Sequence, residues 1–249
     1  MRRPIMAGNW KMYKTPSETV AFFDRFLPLV EGATHAEIAV CPPFVDIPAA
    51  TAAVRGTPVE IGAQNLYWAA EGAFTGEISA AMLRDAGCRW VIVAHSERRE
   101  YFGETEESAL KKIHAALEAG LTPIYCVGER LHERESGHTD SVLERQMRGC
   151  ACHLAPAQFA KIVIAYEPVW AIGTGKVATP EIAASAHAFI RGQILDAFGA
   201  AAADACRILY GGSVKPDNVK GLMAQEEIDG ALVGGASLDP QSFAAIVNY

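Results

Sequence analysis

Long apolar runs are missing from this 249-residue chain. None approaches the ~18 residues a membrane-spanning helix needs, so no membrane partner is expected. Met1-Arg2-Arg3 is basic, but the apolar stretch behind it is broken by Gly8 and Asn9 and is too short for a secretory core. A basic excess is missing as well: 22 Lys and Arg stand against 29 Asp and Glu, a net charge of -7. Phosphate backbones select for clustered cations, so no nucleic-acid partner is expected, while a local basic pocket for a small anion stays open. Cysteines are few and scattered, at Cys41, Cys88, Cys126, Cys150, Cys152 and Cys206, without the tight spacing of a disulfide scaffold. This points to a reducing cytoplasm. Cys150-Ala151-Cys152-His153 has soft-metal donors but no second cluster to complete a tetrahedral site, so helix-surface thiols and no metal are expected.

No Pro/Gly/Ser-rich linker or shift of composition divides the chain, and 50% hydrophobic residues with 20% charged ones supply ample core. Eight short β-rich runs recur: 5–7, 37–40, 59–62, 90–93, 123–126, 161–164, 207–210 and 230–233. Helix-compatible stretches lie between them, such as 17–29, 104–119, 180–198 and 240–247, several preceded by a Ser, Thr or Asp cap. Apolar runs without a clean period of two suit strands buried on both faces, as in a parallel sheet. Eight such units over residues 1–249 favour an α/β fold of one domain, a (β/α)8 barrel of eight parallel strands inside a ring of helices. A doubly wound open sheet is the alternative, disfavoured because nothing splits the chain into two halves. In a barrel the chemistry belongs where strands end and βα loops begin.

The sixth run leads into Tyr166-Glu167-Pro168-Val169-Trp170-Ala171-Ile172-Gly173-Thr174-Gly175. Pro168 stops the ladder and biases Glu167 toward extended geometry, while Gly173 and Gly175 let backbone N–H groups approach a ligand. The segment reads as a base attached to a lid; a solvated Glu before an ordinary Gly turn is the plainer reading. Other strand ends carry Asn9-Trp10-Lys11, Ala94-His95-Ser96-Glu97, Tyr210-Gly211-Gly212-Ser213 and Val233-Gly234-Gly235. Paired glycines after the last two strands suit a phosphate site, and His95 at a helix N-terminus, with Ser96 as the expected cap, is disfavoured as imidazolium. Alone, His95 would more often be structural and Lys11 a solvated cation. Together with Glu167 on one rim they specify proton abstraction beside the carbonyl of a small phosphorylated molecule, with no cofactor required. The G-x-G-x-x-A match at 173–178 does not follow its strand directly, so it is a poor dinucleotide fingerprint.

Asn9-Trp10-Lys11-Met12, Cys41-Pro42-Pro43, Gly62-Ala63-Gln64-Asn65, 94–99, Cys126-Val127-Gly128-Glu129, 166–175 and 210–214 together resemble the triosephosphate isomerase family across essentially the whole chain. The resemblance implies reversible interconversion of D-glyceraldehyde 3-phosphate and dihydroxyacetone phosphate through an enediolate, in glycolysis and gluconeogenesis, without metal or cofactor. It implies Glu167 as the base, neutral His95 serving the oxygens, and Lys11 with Asn9 stabilising negative charge. Backbone N–H groups of Gly173, Ser213, Gly234 and Gly235 would hold phosphate, and Glu97 would hold Lys11. Tyr210 and Ser213 would secure the closed lid, Glu129 would pair Trp170 when it is open, and Ser96 and Cys126 would support the site. A homodimer is implied, with the Thr75 loop reaching the partner near Tyr13. The chain departs from the family pattern at Tyr13, often a smaller polar residue, and at Val177, often Thr at the lid hinge. Rival readings are another phosphate-binding barrel enzyme sharing only the glycine cradle, or a catalytically silent barrel.

Overall fold

Each strand lies parallel to its neighbour, and the last pairs with the first. A computed structural model describes residues 2–172 and 176–249. Among these, β1 (Ile5–Asn9), β2 (Glu37–Cys41), β3 (Val59–Ala63), β4 (Trp90–Val93), β5 (Thr122–Val127), β6 (Val163–Tyr166), β7 (Ile208–Tyr210) and β8 (Gly230–Val233) form a closed barrel in chain order. The ladders are uneven. β1 and β2 pair at five positions from Ile5↔Glu37 to Asn9↔Cys41, whereas β7 and β8 pair only at Tyr210↔Ala231.

Around the barrel run α1 (Pro16–Val30), α2 (Ile47–Ala53), α3 (Ala80–Asp85), α4 (Ser96–Phe102), α5 (Glu106–Glu118) and α6 (Leu131–Glu135). They are followed by α7 (Thr139–Gly149), α8 (Pro156–Phe159), α9 (Pro180–Phe198), α10 (Ala200–Ala205), α11 (Val219–Met223) and α12 (Pro240–Val247). Thr179 and Asp239 cap α9 and α12, accepting from the N–H of Ile182 (3.3 Å) and Ser242 (2.8 Å), with proline in each first turn. Among the described residues no helix is long and apolar enough to cross a membrane.

The strands show no simple alternation because both faces are apolar. Ile5, Ala7, Ala39, Cys41, Trp90, Ile92, Ile124, Cys126, Val163, Ala165, Leu209 and Leu232 form one buried cluster inside the barrel. Residues of the other parity, such as Met6, Ile38, Val40, Val91, Tyr125 and Ile164, join the helices in a second cluster. This alternation aims the strand ends: Asn9, Glu167, Gly211 and Gly234 each lie two residues beyond an inward-facing Ala7, Ala165, Leu209 or Leu232.

Three local expectations change. The sixth strand begins at Val163 rather than Lys161, because the Ile162 N–H closes the turn after α8 on the Phe159 carbonyl. α5 begins at Glu106 because Thr105 caps it, while Glu104 turns inward to pair with Arg98 and Lys112. Cys150 is not a helix-surface thiol. It follows α7 fully buried, and the apolar face of that helix carries it into the core, leaving Cys152 half-buried beside it.

Candidate active site

At the C-terminal mouth of the barrel a cavity of about 780 Å3 is lined by Asn9, Lys11, His95, Glu167, Ser213, Gly234 and Gly235 among others. That volume is typical for a small-molecule site. Gly173 of the expected phosphate contacts lies, with Thr174 and Gly175, outside the described residues.

Lys11 reaches the cavity through strained backbone at φ 53°. For a side chain bearing Cβ that conformation is unfavourable, so neighbours must hold it. Its N–H donates to Asn9 Oδ1 (3.0 Å), and Gln64 Nε2 donates to its carbonyl (2.8 Å) and to that of Cys41 (2.9 Å). Its Nζ lies 2.5 Å from Glu97 Oε1. A Cβ at Gly234 would stand 3.6 Å from Lys11 Cε, so the lysine runs beside the glycines that end β8.

Ala94, also left-handed at φ 59°, breaks the inward–outward alternation of β4 and lets His95 line the mouth of the barrel. The expected cap Ser96 is not the cap. His95 takes that place, its own Nδ1 accepting from the Glu97 N–H at 3.2 Å. An imidazole accepting at Nδ1 carries its proton on Nε2, which faces Glu167 Oε1 at 2.8 Å without hydrogen-bond alignment. Burial disfavours the imidazolium and the Glu167 and Glu97 carboxylates favour it, the balance lying above the ordinary histidine value. The Glu97 N–H directed at Nδ1 nevertheless favours the neutral ring.

Ser96 opens α4, where the N–H has no acceptor within the helix, and it donates instead to Glu167 Oε2 at 2.8 Å. Burial pushes the Glu167 carboxyl up, but the adjoining His95 and the Ser96 N–H outweigh it and hold it below the usual carboxylate range. Glycines make room for this side chain. A Cβ at Gly211 would stand 2.9 Å from Glu167 Cγ, and one at Gly128 only 1.7 Å from the Glu167 carbonyl oxygen. Cys126 lies beneath, its buried thiol pushed up by desolvation and by Glu167.

Behind Glu167, Glu129 is wholly buried and accepts from Trp170 Nε1 (2.8 Å), from Tyr166 Oη to both oxygens (3.1 Å each) and from Arg134 (3.3 Å). Burial pushes the Tyr210 hydroxyl up to about 12, opposed by the Ala178 backbone. On the far wall Ser213 follows β7, and Gly235 opens a one-turn 3-10 helix, Gly235–Leu238, directly after β8. The residues brought together are a buried carboxylate, an imidazole with Nε2 facing it, a cation and a glycine-rich wall suited to an oxyanion.

The sequence profile described as Triosephosphate isomerase matches residues 4–249. The chain belongs to the triosephosphate isomerase family. Relatives bearing that name include one from Solibacter usitatus (strain Ellin6076), 65% identical over 249 residues, with both chains covered completely. One from Citrifermentans bemidjiense is 58% identical and one from Moorella thermoacetica 56%, each over 100% of this chain and 99% of the relative.

Within this triosephosphate isomerase fold, several contributors carried no assigned role in the sequence. Gln64 and Gly128 stood in recognised motifs, but their tasks depend on partners from other strands. Tyr13 lines the cavity and is also 58% exposed, so it belongs to the mouth as well as to the outer surface. A glycine immediately after a strand was the available signal for Gly128 and Gly211.

Proposed function

We infer that the protein interconverts D-glyceraldehyde 3-phosphate and dihydroxyacetone phosphate, with Glu167 as the proton-transferring base. Glu167 removes a proton from the carbon beside the carbonyl, and the C–H electron pair forms the enediolate double bond as the carbonyl pair moves onto oxygen. The carboxylic acid then returns the proton to the neighbouring carbon. His95, neutral and protonated at Nε2, moves a proton between the two oxygens, and Lys11 with Asn9 offsets the negative charge. Ser213, Gly234 and Gly235 take the phosphate, with Gly173 as the further expected contact. Glu97 tethers Lys11, and Glu129 holds Trp170 where the chain leaves Glu167.

The observation that carries this reading is the convergence of Glu167, His95 and Lys11 on one cavity whose other wall is the Ser213–Gly234–Gly235 cradle. A coupled assay of triose-phosphate interconversion tests it. Glu167→Gln is expected to lose on the order of 10²-fold or more in kcat; near-native turnover would remove Glu167 from the role.

The reading includes a homodimer. Met12, Tyr13, Val45, Phe74, Met82, Tyr101 and Phe102 are exposed apolar side chains on the loops and helices that follow β1 to β4, a concentration of the kind that marks a protein interface. The exposed Thr75 loop would insert beside Tyr13 of a second copy. Gel filtration at micromolar concentration should give twice the chain mass; a monomer would overturn this part. A cytoplasmic location completes the reading, supported by six free cysteines.

A further inference from the structure

Gln146 is an amide on the apolar face of a helix. It lies on α7 between Val142, Leu143 and Met147, all buried, and is itself only 5% exposed. A buried amide there is tolerated only if its polar atoms find partners. Both find the same residue: Oε1 accepts from the Gly128 N–H at 2.8 Å, and Nε2 donates to the Gly128 carbonyl at 3.2 Å.

The position of Gly128 explains why it needs such a clasp. β4 pairs with β5 only as far as Val93↔Tyr125 and then leaves the sheet for α4. On the opposite side the ladder continues, with the Glu167 N–H donating to the Val127 carbonyl (2.7 Å) and the Val169 N–H to the Glu129 carbonyl (3.1 Å). In extended chain alternate residues direct their backbone groups to opposite sides. Gly128, between Val127 and Glu129, therefore faces the place β4 has vacated, and the Gln146 side chain fills it as a strand would. The same Gly128 abuts the backbone of the base, since a Cβ there would overlap the Glu167 carbonyl.

We propose that Gln146 is a positioning residue for the isomerisation, fixing the Gly128 peptide and through it the backbone that aims Glu167 at the substrate. This rests on the reading of Glu167 as the base. Gln146 does not line the substrate cavity, so its loss should act on turnover more than on substrate affinity.

The test compares Gln146→Met, which keeps the volume and removes both hydrogen bonds, with Met147→Leu, which perturbs the same helix without touching Gly128. Kinetics are combined with 13C NMR of carboxyl-labelled glutamates, the Glu167 resonance being identified by its disappearance in Glu167→Gln. For Q146M the expected result is a kcat lowered ~10-fold or more, as misplacement approaching 1 Å costs, with KM within about twofold and a Glu167 titration displaced from the native one. M147L should lower the melting temperature while leaving kcat and the titration native. Q146E keeps an acceptor for the Gly128 N–H and should retain more kcat than Q146M; if Q146M does not fold, Q146E is read in its place. A folded Q146M whose Glu167 resonance and titration match the native protein overturns the proposal, as does an equal kcat loss in M147L. Near-native turnover in Glu167→Gln would instead refute the base, a separate outcome, because the NMR arm reads the position of Glu167 without reference to activity.

Discussion

Replacing Gly128 with alanine adds one methyl group where the protein has no space for it. Gly128 is not among the glycines held at positive φ, so the left-handed strain that favours glycine does not arise and the clash decides the effect. The new Cβ would lie 1.7 Å from the Glu167 carbonyl oxygen and 2.6 Å from its carbon, against a practical minimum of 3.0 Å. Both clashing atoms are backbone, so no rotamer change relieves them. Either the Glu167 peptide or the Gly128 peptide must move by roughly 1 Å or more, and a displacement of about 1 Å at a reacting group costs ~10²-fold. Overpacking of this kind also lowers stability by about 1–3 kcal/mol. The assay is kcat and KM by coupled triose-phosphate turnover, paired with urea unfolding. Gly32→Ala, where a Cβ meets nothing within 4 Å, serves as control and should match the native protein in both. A folded Gly128→Ala with kcat within threefold of native would show that the Glu167 peptide is not pinned there.

Glu97→Gln should lower kcat/KM about tenfold by loosening Lys11, which sits 2.5 Å from Glu97. The half-exposed pair itself contributes only ~0–1 kcal/mol, so urea unfolding should hardly change. Burial raises the Glu104 carboxyl, but Lys112 and Arg98 outweigh it and hold the pKa below the ordinary value. Its stabilisation is therefore present above the unfolded carboxylate range, ~4.3, and is lost as pH falls through the depressed folded value. Urea unfolding from pH 7 to 3 should show the native advantage over Glu104→Gln steady at first and shrinking only at the acid end. Burial pushes the thiols of Cys88, Cys150 and Cys206 to about 12. A thiol-disulfide reagent at pH 8 should leave these three unreacted in the native protein and modify all six cysteines in denaturant; prompt native reaction at Cys150 would contradict its burial.

Legibility in the sequence followed how local each determinant is. The bounds of α9 and α12 were readable because Thr179-Pro180 and Asp239-Pro240 carry cap and first turn in adjacent residues. β6 slipped by two because Lys161 and Ile162 look like strand yet close a turn, and only packing distinguishes the two. Glu167, His95 and Lys11 were readable as strand-end residues, since closure of the barrel brings those ends together. That His95 caps its own helix was not readable, because it depends on which ring nitrogen faces the Glu97 N–H. Nor was the work of Gln64, Gly128 or Gln146: each acts on another segment's backbone, and a sequence shows the residue type without the partner. Cys150 continues the spacing of Leu143, Gln146 and Met147 on the apolar face of α7, and its burial was hidden because the short motif Cys150-Ala151-Cys152-His153 says nothing of which helix face precedes it.

A closed ring opens most readily at its shortest ladder, and here that is the one between β7 and β8, paired at Tyr210↔Ala231 and supplemented by the two bonds between Ile208 and Asp229. Ser213 leaves the barrel on one side of that seam, Gly234 and Gly235 on the other, so a phosphate held by all three is a staple across it. Under the proposed binding mode, occupancy of the site and closure of the barrel reinforce each other: the amides of β7 and β8 are expected to gain the most protection from hydrogen exchange on adding phosphate, and the well-laddered β1 and β2 the least.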